Sequence, residues 1–377
     1  MSTTGIIFSN LYDNRIPELT RTRTTASIPF GCRYRLIDFA ISNMANAGIT
    51  DISVITHYNY QSLMDHIGSG KDWDLARRRG GIKIFPPYIT AFADKTRDPY
   101  ASRLESLKSI SNKIYDMRSD NVVLSDCDGI CNLDISDMIR QHESTGADIT
   151  IAVQNMTVPP EAAANSVIVN SNSNGRITGV LVRPQRLIGN VDVNLNVWVV
   201  SRRYLQSVLH DAISKGFSSF SLDVLNKRAD NDYYRIYRHE GYFKTILSLA
   251  DYYESSMNLI SDEVSRSELF AVPGRPILTK VRNSPPASYR KNSRVRGSLI
   301  ADGCVIEGVV ENSILFRGVK VCADTVVRNS ILFQDTYVGS GVSLNCVITD
   351  KNVVIRDGKQ LSGDPMMPFF IEKGKML

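Results

Sequence analysis

From residue 5 to about 225, short apolar runs with strand character alternate with stretches whose apolar positions recur at helical spacing. The strand-like runs are Gly5–Phe8, Asp51–Thr56, Asn121–Leu124, Asp148–Val153 and Val197–Val200. The helical stretches are Arg35–Ala47, Tyr60–His66, Ser102–Ile114 and Tyr204–Lys215, and in the first of them Phe39, Ile41, Met44 and Ala45 read as core contacts. This alternation predicts βαβ units around a mostly parallel sheet. A further amphipathic stretch from Lys244 to Ile260 closes the domain, and then Pro273, Pro276, Pro285 and Pro286 exclude a long helix and read as a linker. The expected organisation is a domain over 1–260, a linker over 261–290 and a second domain over 291–377.

That second domain carries an internal repeat. Asn312-Ser313-Ile314-Leu315-Phe316 recurs unchanged as Asn329-Ser330-Ile331-Leu332-Phe333, with looser copies at Gly297-Ser298-Leu299-Ile300-Ala301 and Asn345-Cys346-Val347-Ile348-Thr349. Spacings of 15, 17 and 16 residues match one coil of a left-handed parallel β-helix of hexapeptide repeats, in which each turn supplies three short strands. One coil cannot bury its own apolar face, so four or five coils stack, and their ends call for caps or partner subunits. Hexapeptide acyltransferases characteristically need a histidine base on such a domain. The five histidines here are His57, His66, His142, His210 and His239, and the segment from residue 273 onward has none, so the repeat reads as an assembly or regulatory module.

Length and composition then narrow the picture. A chain of 377 residues that is 43% hydrophobic exceeds one ordinary core and suits two domains. The charge of +5 is mildly basic, and the run Arg77-Arg78-Arg79 sits beside Trp73, Asp74 and Gly80-Gly81 without interleaved aromatics, which argues for a solvated loop rather than a nucleic-acid surface. Cys32, Cys127, Cys131, Cys304, Cys322 and Cys346 lack paired spacing, so neither a zinc site nor a disulfide framework is expected. No apolar run approaches a membrane span. A soluble, reduced, cytoplasmic protein with no membrane partner is the expectation.

Candidate chemistry lies at strand ends. Ser125-Asp126-Cys127-Asp128 follows Asn121–Leu124 and places carboxylates where an open parallel sheet usually has its site. The first strand, however, runs into Ser9-Asn10-Leu11-Tyr12-Asp13-Asn14-Arg15, which lacks the glycines that let backbone N–H groups close around a phosphate.

Pro29-Phe30-Gly31-Cys32-Arg33-Tyr34-Arg35-Leu36-Ile37-Asp38-Phe39-Ala40-Ile41-Ser42-Asn43, then Gly48-Ile49, closely resembles the PFGGKYRxIDFxxSNxxxxGI segment of bacterial ADP-glucose pyrophosphorylases. So does the stretch from Gly68 to Gly81, and the resemblance covers essentially the whole chain. It implies a nucleotidyltransferase domain, Rossmann-like, followed by a β-helix. The family's activity joins glucose 1-phosphate to the adenylate of ATP with release of pyrophosphate, supplying ADP-glucose for glycogen synthesis. That chemistry needs a loop approaching the triphosphate, cations on the phosphates and carboxylates that place Mg²⁺.

Set against the family's motifs, the chain departs at each requirement. LAGGxGxRLxxLTxxRAKP aligns without gaps onto Phe8–Ala26, so three side chains fill triphosphate space, Asp13 adds like-charge repulsion, and the active-site lysine becomes Thr25. Arg15, Leu19, Thr20 and Arg23 survive. The nucleotide-seating WxxGTADA motif should fall near Asp98-Pro99-Tyr100-Ala101-Ser102-Arg103-Leu104 and is absent. The metal-binding SGDHIY region puts Cys127 at its Asp when aligned from Ser125, and recovers Asp128 when aligned back from Leu133-Asp134. The sugar-phosphate lysine becomes Arg183, and the second metal carboxylate becomes His239, a poor ligand for Mg²⁺, with Glu240 next to it. Asp223 retains an acid of the family's DFGKDI, or serves only as a capping acid.

The resemblance therefore implies little or no intrinsic catalysis: Asp128, Asp223 and Glu240 are catalytic remnants, Arg15, Arg23 and Arg183 substrate-binding remnants, and no metal or cofactor is expected in this chain. The pattern of losses, with the inserted Gly241-Tyr242-Phe243-Lys244-Thr245-Ile246, is similar to the family's D-type chains. These accompany a catalytic C-type subunit, which holds the Mg²⁺, in a mixed tetramer. An alternative is a working enzyme with an altered site. Another is a sensor of sugar phosphates, with Arg21, Arg33, Arg35, Arg294 and Arg296 as effector-binding candidates.

Overall fold

The computed structural model describes residues 2–11, 13–86, 102–229 and 231–377. The chain separates into two compact units, Met1–Leu11 with Phe39–Phe243, and Tyr12–Asp38 with Lys244–Leu377. The second unit thus takes in residues 12–38, the segment with the altered phosphate loop, which the expected division at residue 260 assigns to the first domain.

In the first unit, among the described residues, nine strands form one sheet: β1 Thr3–Phe8, β2 Asp51–Ile55, β3 Gly81–Phe85, β4 Asn121–Asp126, β5 Ile149–Thr157, β6 Val167–Ser171, β7 Ile177–Val182, β8 Asn190–Ser201 and β9 Tyr234–Arg238. The order is β7-β6-β8-β4-β1-β2-β3, with β5 between β8 and β9. Pairing is parallel from β4 to β3, as the alternation of elements predicts. β8 runs antiparallel to β4, β5 and β6, and it is a 12-residue strand rather than the four-residue run read from Val197–Val200. Its register shifts between Asn194 and Trp198, where Asn196 has φ of 59° and the Asn194 side chain accepts from the Trp198 indole at 2.9 Å. That bend leaves Trp198 buried beside Leu124, Ile151, Leu205 and Phe220.

The stretch expected to be one helix over Ser102–Ile114 is two, Arg103–Ser109 (α1) and Ser111–Tyr115 (α2), broken at Ile110 with φ of −112° and ψ of 21°. The Ser102 hydroxyl caps α1 by accepting from the Glu105 N–H at 3.1 Å, a serine followed three residues later by glutamate.

In the second unit the amphipathic stretch begins later than Lys244. Ser248 caps the helix Leu249–Ser261 through the Asp251 N–H, and a short helix, Glu263–Phe270, occupies the first part of the expected linker. Beyond it, three five-stranded parallel sheets form the left-handed β-helix. One row of its corners is Gly297, Asn312, Asn329 and Cys346, with φ of 53°, 48°, 46° and 52°. Glycine and asparagine tolerate this left-handed backbone better than most residues.

The fourth repeat copy is corrected by one residue. Ile331 pairs with Ile348 and Leu332 with Thr349, so Asn329 corresponds to Cys346 rather than Asn345, and Phe333 stacks above Asp350. The row Ala301, Phe316, Phe333, Asp350 is therefore apolar for three coils and ends in an acid only 3% exposed.

Among the described residues no helix is long and apolar enough to cross a membrane. All six cysteines are free; Cys127 and Cys131 are buried, and burial pushes the Cys131 thiol up to about 12. Arg77 is exposed and pairs with Asp74, in keeping with a solvated loop.

Candidate functional site

The remnant residues divide between the two units. In the second, Asp13 and Thr25 stand at the positions of a loop glycine and the active-site lysine in the alignment above, and they bond each other. One Asp13 carboxylate oxygen accepts from both the Thr25 N–H and the Thr25 hydroxyl at 2.7 Å. The Asp13 carbonyl accepts from the Thr20 hydroxyl at 2.6 Å. At the two positions where the family has a loop glycine and a lysine, the side chains of this chain bond one another.

Burial pushes the Asp13 carboxyl up from 3.8 to about 6, against the downward pull of the two bonds from Thr25. Between those two values the folded chain binds more protons than the unfolded one, so stability falls as pH rises through the window. Asp13→Asn keeps the accepting oxygen and removes the charge. It is expected to be about 1–3 kcal/mol more stable than wild type near pH 7.5, with the gap closing toward pH 4.5, as urea denaturation would measure. An equal gap at both pH values would mean that the carboxyl titrates normally.

Arg23 is committed to partners within the chain. It is 2% exposed, its Nη2 donates to both Asp350 oxygens at 2.6 and 2.9 Å, and its Nη1 reaches the Leu19 carbonyl at 3.3 Å. Asp350 is the acid that interrupts the apolar row of the β-helix. Lys351 follows it, and its amine is pulled down to about 7, first by burial and then by Arg35 and Arg23, with Asp350 opposing and Arg282 adding to the effect. Arg35 is 8% exposed, and its N–H donates to Asp38. Lys351 thus lies within electrostatic reach of Arg35, Arg23, Arg282 and Asp350.

The other effector candidates are more open. Arg21 is exposed and pairs with Glu372 at 2.7 Å, and Arg33 is exposed. Arg294 and Arg296 are exposed on the β-helix, where they and Arg328 hold the Glu311 carboxyl below its usual range, the Arg328 bond contributing most. Arg15 lies half-buried in the short turn Asp13–Arg15.

In the first unit, Asp128 lies just past β4 and is 2% exposed. Asp223 acts as a capping acid: it accepts from the Ser218 and Ser219 N–H groups at 3.0 Å and pairs with Lys227, and these contacts, led by Lys227, hold its carboxyl down at about 2. Glu240 is exposed, while His239 is tied by its N–H to the Val153 carbonyl and by its ring to the Tyr242 carbonyl. Arg183 is exposed in the turn after β7 with φ of 53°.

The segment compared with GTADA falls partly on residues 98–101, outside the described residues. Its continuation yields a contact that motif comparison missed. The Arg103 guanidinium forms a two-bond pair with Asp126, Nε to Oδ1 at 2.9 Å and Nη2 to Oδ2. The Arg103 side chain is 12% exposed and that of Asp126 2%, and the guanidinium lies 5.1 Å above the Trp198 ring. The visible signals are an acid at a strand end and an arginine where the nucleotide motif is lost, but nothing local joins them. With a cation already on Asp126, with Cys127 between the two acids and with His239 tied to backbone carbonyls, the residues present do not suit Mg²⁺. Among the described residues no group of three or more His, Cys, Asp or Glu side chains could hold a metal ion.

Comparison with known proteins divides the chain near residue 260 instead. The nucleotidyl transferase family matches residues 5–258, and the GlmU-like, C-terminal hexapeptide family matches residues 285–367. The chain is 32% identical over 374 residues to the glycogen biosynthesis protein GlgD of Bacillus subtilis (strain 168), covering 98% of this chain and 95% of that protein. It is 31% identical over 349 residues to a glucose-1-phosphate adenylyltransferase of Bacillus thuringiensis (strain Al Hakam), covering 92% and 90%. A glucose-1-phosphate adenylyltransferase of Halalkalibacterium halodurans is 32% identical over 326 residues, covering 86% and 83%.

Proposed function

This chain belongs to the glucose-1-phosphate adenylyltransferase family of nucleotidyl transferases, and from that premise we propose that it is a regulatory, non-catalytic subunit acting in glycogen synthesis. It modulates a catalytic C-type partner in a mixed oligomer, a tetramer by the family's pattern, with Mg²⁺ held by the partner. The observation that carries this reading is the Asp13–Thr25 pair, which spends the loop's charge and donors internally. A scaffold that keeps its fold while losing its donors can still pass a partner's conformational change through interface contacts.

The experiment compares Mg²⁺-dependent ADP-glucose synthesis by this chain alone, by a catalytic adenylyltransferase subunit from the same source alone, and by the two co-purified. The expected result is activity only in the last two samples, with kcat or effector response altered in the mixture. Turnover by the chain alone would overturn the reading in favour of an active enzyme with an altered site.

A sensing role is a second reading, and its place would be Lys351, which lies within electrostatic reach of Arg35 and Arg282. A phosphorylated sugar bound there would gain charge-assisted hydrogen bonds, and binding to the folded state alone would raise Tm by mass action. The chain without its partner is expected to show a saturable rise in Tm with fructose 1,6-bisphosphate, absent in Lys351→Ala. An unchanged Tm would remove the sensing role and leave the subunit role standing.

A further inference from the structure

We propose that Arg103 is a built-in replacement for a divalent cation: its guanidinium occupies Asp126 at the acidic end of β4, where a metal ion would otherwise meet that carboxylate. The argument begins with charge. Asp126 and Asp128 are 5% and 2% exposed and stand two residues apart at the strand end. Buried carboxylates are costly unless paired, so such an edge calls for a cation. The candidates are a metal ion drawn from solution or a side chain supplied by the chain itself.

The geometry selects the side chain. Arg103 donates from two nitrogens to the two oxygens of Asp126, the fork-to-carboxylate arrangement that a planar guanidinium favours. This takes up the oxygen directions that a metal ion would use. The guanidinium is also backed by the Trp198 ring at 5.1 Å, a contact that favours a cation on the face of an indole. Its position is set by α1, whose cap Ser102 also donates its hydroxyl to the Ser218 carbonyl, while Lys108 on the same helix reaches the Phe217 carbonyl. Helix, cap and ring hold the cation in place, so its effective concentration at Asp126 is independent of the ionic composition of the solution.

The substitution also changes what the edge can do. A guanidinium is a fixed single charge whose donors are turned toward Asp126, and it has no exchangeable coordination position. It satisfies the carboxylate without offering a phosphate the open site that a bound metal provides. The inference deepens the reading of this chain as non-catalytic, yet it stands on the ion pair and its test has no catalytic readout. Turnover by the chain would therefore sink the functional reading while leaving the result for Arg103 intact.

The test uses the full chain, thermal unfolding with and without millimolar Mn²⁺, and Mn²⁺ electron paramagnetic resonance to count bound ion. Wild type is expected to bind no Mn²⁺ and to keep its Tm in both Mn²⁺ and EDTA. Arg103→Ala is expected to lose roughly 5–10 °C in Tm and to regain part of it on adding Mn²⁺, because the freed carboxylates then recruit the metal. Arg103→Ala combined with Asp126→Asn is expected to lose the Mn²⁺ response. If Arg103→Ala does not fold, Arg103→Gln decides, since it is shorter and uncharged but keeps a polar N–H donor, and it must show the same Mn²⁺ rescue. Mn²⁺ binding by wild type overturns the proposal. So does a folded Arg103→Ala, or Arg103→Gln in its place, whose Tm is indifferent to Mn²⁺.

Discussion

Arg23→Ala is expected to cost about 3–5 kcal/mol, enough to unfold much of the second unit at physiological temperature. The size follows from burial: Arg23 and Asp350 are 2% and 3% exposed, and removing the guanidinium leaves a desolvated carboxylate in the wall of the β-helix. Salt should matter little, because a pair this deep is poorly screened. The complementary change separates the cost of breaking the pair from its net worth. Asp350 continues the row of Ala301, Phe316 and Phe333, in which Phe316 and Phe333 already meet edge to face at 5.0 Å. Arg23→Leu with Asp350→Phe would extend that apolar row, and replacing a buried ion pair by packed apolar residues is often neutral or stabilising. The double variant is therefore expected to recover most of the loss, as urea denaturation followed by circular dichroism would measure. A loss below about 1 kcal/mol for Arg23→Ala would show the pair to be open to solvent.

Restoring the phosphate loop alone is expected to leave the chain silent. Asn10→Gly, Leu11→Gly and Asp13→Gly with Thr25→Lys remove the Asp13–Thr25 pair and return the loop's glycines and lysine, but Arg103 still covers Asp126 and His239 still stands at the second metal position of the alignment. Removing one electrostatic contributor commonly costs ~10²–10³ in rate, and such losses are not simply additive. With loop and metal site both altered, the isolated chain is expected to run at least about 10⁴-fold below a catalytic relative, and the loop variant to remain below detection. A radiometric assay of ADP-glucose formation from labelled glucose 1-phosphate would show this. Substantial turnover in the loop variant would mean that the region around Asp126 and Asp128 still supports catalysis, and the functional reading would fall.

Much of this protein was legible in local pattern. Alternating strand and helix stretches announced the parallel core, because the side-chain periods of strand and helix are properties of neighbouring residues. The repeat announced the β-helix for the same reason, and the missing glycines at Asn10, Leu11 and Asp13 were plain from identity alone. What local pattern could not supply was partnership. The one-residue correction at Cys346 depends on which residue of the previous coil it pairs beside, and spacing alone cannot show a change in coil length at a corner. Asp223 and Arg23 looked alike as charged remnants, yet one caps a helical turn four residues away and the other crosses 327 residues to Asp350. Arg103 and Asp126 are each unremarkable in sequence, and only the packing of α1 beside β4 and Trp198 brings them together. The sequence by itself determined the strand–helix alternation, the repeat and the loss of the family's donors, since these are carried by residue type and short-range period. Tertiary structure alone decided where the remaining charges go, because a buried charge takes the partner that the fold brings within bonding distance.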